Sequence, residues 1–283
     1  MSALTLPYPF DLAFMQRALA AGLVVGAFAP LIGTFLVQKR MSLIGDGIGH
    51  VAFAGVGAGL LLGIWPVWTA LLFGVIGALG VDFLRSRGKA SGDVALALFF
   101  YSGIALGVVL ISLGGGLNAN ILTYLFGQPL TVTASEIRVI AALGAAIAIA
   151  MWTVRRVMFA VVTDEDWSRV SGLPVGFVNN VLAVLTAVAV VAAMRIVGIL
   201  LIAAMMVLPV ASGQILARSF GSTLRWSIAV SVGSVIAGLS VSRIWGTAPG
   251  GTIVLIAAAV FAVVSVARRS VVSRLPATEN ADL

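Results

Sequence analysis

Apolar positions in this chain come in long, nearly unbroken runs, at 18–37, 43–63, 65–84, 94–113, 137–154, 177–194, 196–217, 224–242 and 251–267. Each is close to the roughly 20 residues a helix needs to cross a bilayer. A closed barrel would show shorter, alternating segments, and helices satisfy their own backbone polar groups in lipid. The pattern predicts an all-α polytopic membrane protein of nine transmembrane helices, or eight if one run lies in the interface. Polar stretches punctuate the runs. The segment 114–130 is Gly-rich and semi-apolar and is expected to dip back toward the membrane. The link 155–176 carries both charge signs, and within it Asp164-Glu165-Asp166 starts a short helix that ends at Gly172-Leu173-Pro174. Only Met194-Arg195 parts the sixth run from the seventh, which suggests a tight hairpin. Pro209, inside the seventh run, is expected to kink or end that helix. No repeat is visible, so residues 1–283 read as a single membrane domain.

Composition agrees and narrows the picture. The chain is 61% hydrophobic and 10% charged, whereas soluble domains are about half apolar and a quarter charged. A net charge of +7 would suit nucleic acid, but the basic residues sit in short clusters between apolar runs, as orientation signals do. Nine spans put Lys39, Arg40, Arg85, Arg87, Lys89, Arg155, Arg156, Arg169, Arg218, Arg225, Arg268, Arg269 and Arg274 on one side. Arg17, Arg138, Arg195 and Arg243 fall on the other. Thirteen against four predicts that the first group is cytoplasmic, with residues 1–12 outside and the tail 275–283 inside. The first charge is Asp11, so a cleavable leader is not expected. Cysteine is absent, which excludes disulfides and thiolate metal sites. Trp65, Trp68, Trp226 and Trp245 fall near span ends and read as interfacial anchors.

The candidate chemistry centres on Asp46 and His50, the single histidine. Four residues apart, they share a helix face. Counted from Arg40 at about 1.5 Å per residue, they lie roughly 9 and 15 Å along the span, which puts His50 near mid-membrane. An ionisable residue there is costly unless it is paired or meets a wet cavity. Carboxylate oxygen and imidazole nitrogen are also usual ligands of first-row divalent cations. Two readings stand: metal or proton handling, or a pair in which Asp46 accepts a hydrogen bond from His50 and locks helix packing. Two ligands do not complete a metal site, so others would come from another helix, another subunit or water.

The remaining polar positions read more blandly. Asp93, after Ser91-Gly92, is expected to cap the fourth span, and Asp82 to form an interfacial ion pair with Arg85 and Arg87. Asp164, Glu165 and Asp166 are either a solvated turn or a docking surface for a cytoplasmic partner. Met205 and Met206 read as core filler. No H-E-x-x-H occurs, Val210-Ala211-Ser212-Gly213 lacks the first glycine of a serine-protease turn, and Gly88-Lys89 lacks its phosphate-loop context. The chain is therefore not expected to be an enzyme, and any ATP hydrolysis falls to a partner.

Five blocks, in order, carry a resemblance. RMSLIGDGIGHVAFAGVGAG (40–59) resembles the second-helix signature of bacterial ABC-type zinc and manganese import permeases. LTYLFGQ (122–128), TDEDWSRVSGLPV (163–175), VGILLIAAMMVLPVASGQILARSF (197–220) and APGGTIVLIAAAVF (248–261) are similar to that family's later blocks. Ser242-Arg243-Ile244-Trp245-Gly246 departs from the tyrosine-rich acidic stretch many relatives carry there. The resemblance implies a fold like that of vitamin B12 and siderophore permeases. It also implies a homodimer in the bacterial plasma membrane, two cytoplasmic ATPase subunits and an external metal-binding protein. Asp46 and His50 match the family's metal-path residues. The cargo it implies is Zn2+, with Mn2+ or iron as the alternative and a proton-coupled secondary transporter further behind. Coupling to the ATPases would fall on the segment 213–225, with Gln214, Arg218, Ser219, Phe220 and Arg225, or on the acidic turn with Asp164, Glu165, Asp166 and Arg169.

Overall fold

The computed structural model describes residues 7–86, 92–115 and 119–272. Arg87, Lys89, Arg274 and the tail 275–283 lie outside the described residues, as does 1–6 of the N-terminal segment. All regular structure among the described residues is helical: α1 (Ala13–Gln38), α2 (Ile44–Leu62), α3 (Pro66–Ser86), α4 (Gly92–Leu113), α5 (Ala119–Phe126), α6 (Ala134–Thr163), α7 (Glu165–Val170), α8 (Val175–Ala193), α9 (Ile199–Leu216), α10 (Phe220–Trp245) and α11 (Pro249–Val272). Eight of these, α1, α2, α3, α4, α6, α8, α10 and α11, are long and apolar enough to cross a membrane. The seventh apolar run, 196–217, becomes α9, apolar but shorter.

Contacts between helix ends show how the chain runs. Lys39, just past α1, meets Glu165 of α7 and Asn179 of α8. Phe220, which opens α10, packs edge-on against Phe35 of α1 and Phe159 of α6. These elements share one end of the bundle. At the other, Glu136 of α6 pairs with Arg195 in the α8–α9 link at 2.8 Å. There too the backbones around Gly127, Gly198 and Gly250 meet. A Cβ on Gly198 would fall 2.4 Å from Leu125 O, and one on Gly250 2.6 Å from Val197 O. Gly127 and Gly198 also hold positive φ, 70° and 93°, a conformation glycine adopts without strain. Between these ends α1, α2, α3, α4, α6, α8, α9, α10 and α11 alternate in direction, so the first begins at the Arg195 end and the last finishes at the Lys39 end.

Burial sorts the helices. Most of α2 is buried, 83% of its most apolar window, against 17% for α11. α2 packs on α3, α4, α8 and α9. Glycine allows these close approaches: a Cβ on Gly55 would lie 2.5 Å from Thr69 O. Small residues at such interfaces let helix backbones close up where lipid supplies no hydrophobic drive. The glycines that make 43–63 look the weakest span are what seat it in the centre.

Several expectations change. α6 runs through Arg155 and Arg156 to Thr163, because apolar residues continue beyond the arginines and a helix need not stop at the membrane surface. Pro209 does not end α9, which continues to Leu216. A second proline, Pro30, lies inside α1, where Thr34 Oγ1 donates to its carbonyl at 2.7 Å. The semi-apolar segment holds α5 and a 3-10 turn at Pro129–Thr131. Met194-Arg195 is part of a longer link, 194–198, because Arg195 is drawn onto Glu136.

Candidate metal pair and its surroundings

Asp46 and His50 occupy the first and second turns of α2. Arg40, with φ 58°, breaks the chain out of α1, and residues 41–43 turn into α2. From Ile44, Asp46 is therefore about 3 Å and His50 about 9 Å along a helix of about 28 Å. Within α2, His50 stands nearer the Lys39 end than the middle, because residues before Ile44 turn and do not advance as helix.

His50 is 7% exposed and the Asp46 side chain 30%. His50 Nε2 and Asp46 Oδ1 are 3.7 Å apart, beyond hydrogen-bond range. Neither side chain hydrogen-bonds to any other described residue, so the hydrogen-bonded lock that stood as the second reading does not form between them. Two donors bound to one ion at about 2.1 Å would stand about 3–3.5 Å apart, a few tenths of an ångström less than here. Phe100 of α4 covers the imidazole edge-on at 4.3 Å and 64°, and itself packs against Tyr101 at 5.2 Å. Gly103, one turn further along α4, brings that backbone onto the His50 peptide; a Cβ there would meet His50 O at 2.9 Å. Phe100 and Gly103 went unread in the sequence because an aromatic and a glycine in an apolar run carry no signal of their own. No group of three His, Cys, Asp or Glu occurs among the described residues. Asp46 and His50 supply two ligands and no more.

The other expected site residues scatter. Asp164 caps α7, accepting from Trp167 N at 2.9 Å. Glu165 turns inward to Lys39 at 3.0 Å, and also accepts from Asn179 and Arg169 at 3.3 Å each. Burial tends to raise its pKa, but the Lys39 hydrogen bond and charge, with Asn179 and Arg169, outweigh it and hold the carboxyl below the ordinary range. Asp166 and Arg169 stay exposed, as do Trp167 and Val170. Gln214, Arg218, Ser219 and Arg225 are exposed about the short α9–α10 link, where Ser219 caps α10. Phe220 faces inward, in the aromatic contacts with Phe35 and Phe159. Asp82 is buried and makes no ion pair with a described residue, Arg85 donating instead to Met41 sulfur at 2.9 Å. Asp93 lies inside the first turn of α4 and not at its cap, where its charge still suits the helix dipole. Met205 and Met206 are buried core. The Glu136–Arg195 pair also went unread, although Thr133-Ala134-Ser135-Glu136 spells the capping box that the structure forms.

Comparison with known proteins agrees with this layout. The chain is 30% identical over 249 residues to the manganese transport system membrane protein MntC of Halalkalibacterium halodurans, covering 88% of this chain and 85% of that one. It is 29% identical over 253 residues to the manganese import system permease protein ScaB of Streptococcus gordonii, covering 89% and 91%. Among solved structures, PsaBC from Streptococcus pneumoniae in complex with Fab matches at a TM-score of 0.82 and 30% identity, over 90% of this chain and 91% of that one. The model of the ABC 3 transport family matches residues 11–268, and the chain belongs to that family.

Proposed function

We propose that this chain is the permease subunit of an ATP-driven importer that carries a divalent metal into the cytoplasm past Asp46 and His50. The observation that carries this is the pair itself, a buried His50 and a half-buried Asp46: an oxygen and a nitrogen donor 3.7 Å apart, neither hydrogen-bonded to another described residue. A cation between them would satisfy both. The remaining ligands come from a second copy of the chain, from water, or from residue types other than His, Cys, Asp and Glu.

Manganese is the first cargo in this reading and zinc the second, which reverses the order expected from the motifs. MntC and ScaB are both named for manganese, and a carboxylate with no thiolate suits that harder ion. The working assembly is a homodimer with two cytoplasmic ATPase subunits and an external metal-binding protein, in a bacterial plasma membrane. The Lys39 end, with most of the basic residues, faces the cytoplasm. The exposed residues of α7 and of the α9–α10 link lie at that end and meet the ATPases.

The test is metal uptake and metal-stimulated ATP hydrolysis by the reconstituted complex, with manganese and zinc compared. His50→Ala and Asp46→Ala are each expected to lower uptake at least about tenfold while ATPase binding persists. Unchanged uptake in both variants would remove the pair from the path. Stimulation by zinc alone would restore the original order.

A further inference from the structure

A groove of about 640 Å³ opens at the Lys39 end between α1, α6 and α10. Its walls are apolar: Leu31, Phe35, Met151, Phe159, Phe220 and Leu224. Phe35, Phe220 and Phe159 form a continuous edge-to-face row, with ring centroids 5.1 and 4.9 Å apart. Arg155 and Arg156 are exposed at its mouth, and the Arg155 guanidinium lies 3.8 Å over the Trp152 ring. Neither arginine forms an ion pair with a described residue, and the first turn of α10, which opens onto the groove at Phe220 and Gly221, has no acidic residue. That helix start adds its own positive dipole end.

Depth supports a lipid occupant. From Arg138, in the second turn of α6, to Arg155 the helix rises about 26 Å, close to the roughly 30 Å hydrocarbon thickness. With Arg138 at one interface, Arg155 and Arg156 stand at headgroup level of the other, Leu31 and Met151 lie at acyl-chain depth, and the row of Phe35, Phe220 and Phe159, a turn beyond Arg155 along α6, closes the groove above. We infer that this groove binds one anionic phospholipid, with an acyl chain against Leu31, Met151 and Leu224 and the phosphate held by Arg155 and Arg156. Basic pockets between membrane helices recognise such headgroups. The inference needs the membrane placement of the chain and not its transport activity.

The purified full-length chain in neutral detergent is titrated with phosphatidylglycerol and with phosphatidylcholine of the same acyl chains, and retained lipid is counted by native mass spectrometry. One phosphatidylglycerol per chain is expected, held about 10- to 30-fold more tightly than phosphatidylcholine, the worth of two interfacial arginines. Arg155→Gln with Arg156→Gln should erase that preference. Leu224→Trp, which fills the groove and keeps both arginines, should lower phosphatidylglycerol binding, whereas glycerol phosphate alone should not bind. Equal retention of the two lipids, an unchanged preference in the double variant, or glycerol phosphate binding as tightly as the lipid would overturn the inference. So would efficient Trp152→Cys cross-linking between chains, since a second copy would then cover the groove; the absence of native cysteine makes that readout clean.

Discussion

Gly33 sets how near α1 comes to α9. A Cβ there would sit 2.0 Å from Met206 O and 2.9 Å from its carbonyl carbon, atoms of a helix backbone that cannot rotate away. Gly33→Ala is expected to destabilise the fold by about 1–3 kcal/mol, read as a lower thermal midpoint of the purified chain. Gly233→Ala is the control. Nothing lies within 4 Å of its Cβ position inside α10, and alanine is the better helix former by about 1 kcal/mol, so its midpoint should hold or rise. Equal melting of the two variants would mean that α1 slides freely on α9. The same kind of approach at Gly103 fixes the His50 peptide, so the candidate metal pair depends on glycines that chemistry alone would not single out.

Among the elements, α7 has the most telling attachment. Glu165 joins it to Lys39, just before the 41–43 turn that delivers Asp46, and to Asn179 on α8. A helix docked on an ATPase would therefore pull on the turn that leads to the metal pair. Because Glu165 titrates lower when folded than its ordinary 4.5, its stabilisation is complete above that value and is lost as pH falls through the folded pKa. Melting followed from pH 7 to 3 should steepen below about 4.5, and Glu165→Gln should flatten that step. Lys39→Glu alone should depress uptake, and adding Glu165→Lys should restore part of it. An acid profile indifferent to Glu165 would sever this link. The short helix was readable from Asp164 through Pro174, since cap and stop residues bracket it. Its tether was not, because Lys39 and Glu165 are brought together only by the tertiary fold. α6 likewise outran its apolar run: the hydropathy of 137–154 marks what lipid covers, whereas the helix continues as long as its backbone does.

For the whole molecule, alternating helix directions put the start of α1 and the close of α11 at opposite ends of the bundle. The proposed orientation, with the positively charged Lys39 end in the cytoplasm, can be tested directly. In a chain without cysteine, Tyr8→Cys should react with an impermeant maleimide added outside intact cells, and Trp167→Cys only after permeabilisation. Both residues are well exposed, at 63% and 69%; reversed labelling would invert the orientation. At this scale the sequence was most transparent, because a run of about 20 apolar residues has few fates in a bilayer. The pair was visible as two residues four apart, but its depth depended on the turn at Arg40, and its aromatic cover on which helix packs beside α2.

The meeting of Gly127, Gly198 and Gly250 has a consequence for how this architecture can change. A clash between side chains can be relieved by trimming either partner, so such positions drift in pairs. Here the colliding atoms are main-chain carbonyls and amides, and no substitution elsewhere can make them smaller. The three glycines therefore form a single all-or-nothing character, without compensating second-site suppressors among the side chains. Variation at that end of the bundle is channelled into the residues around the seam and kept out of the seam itself.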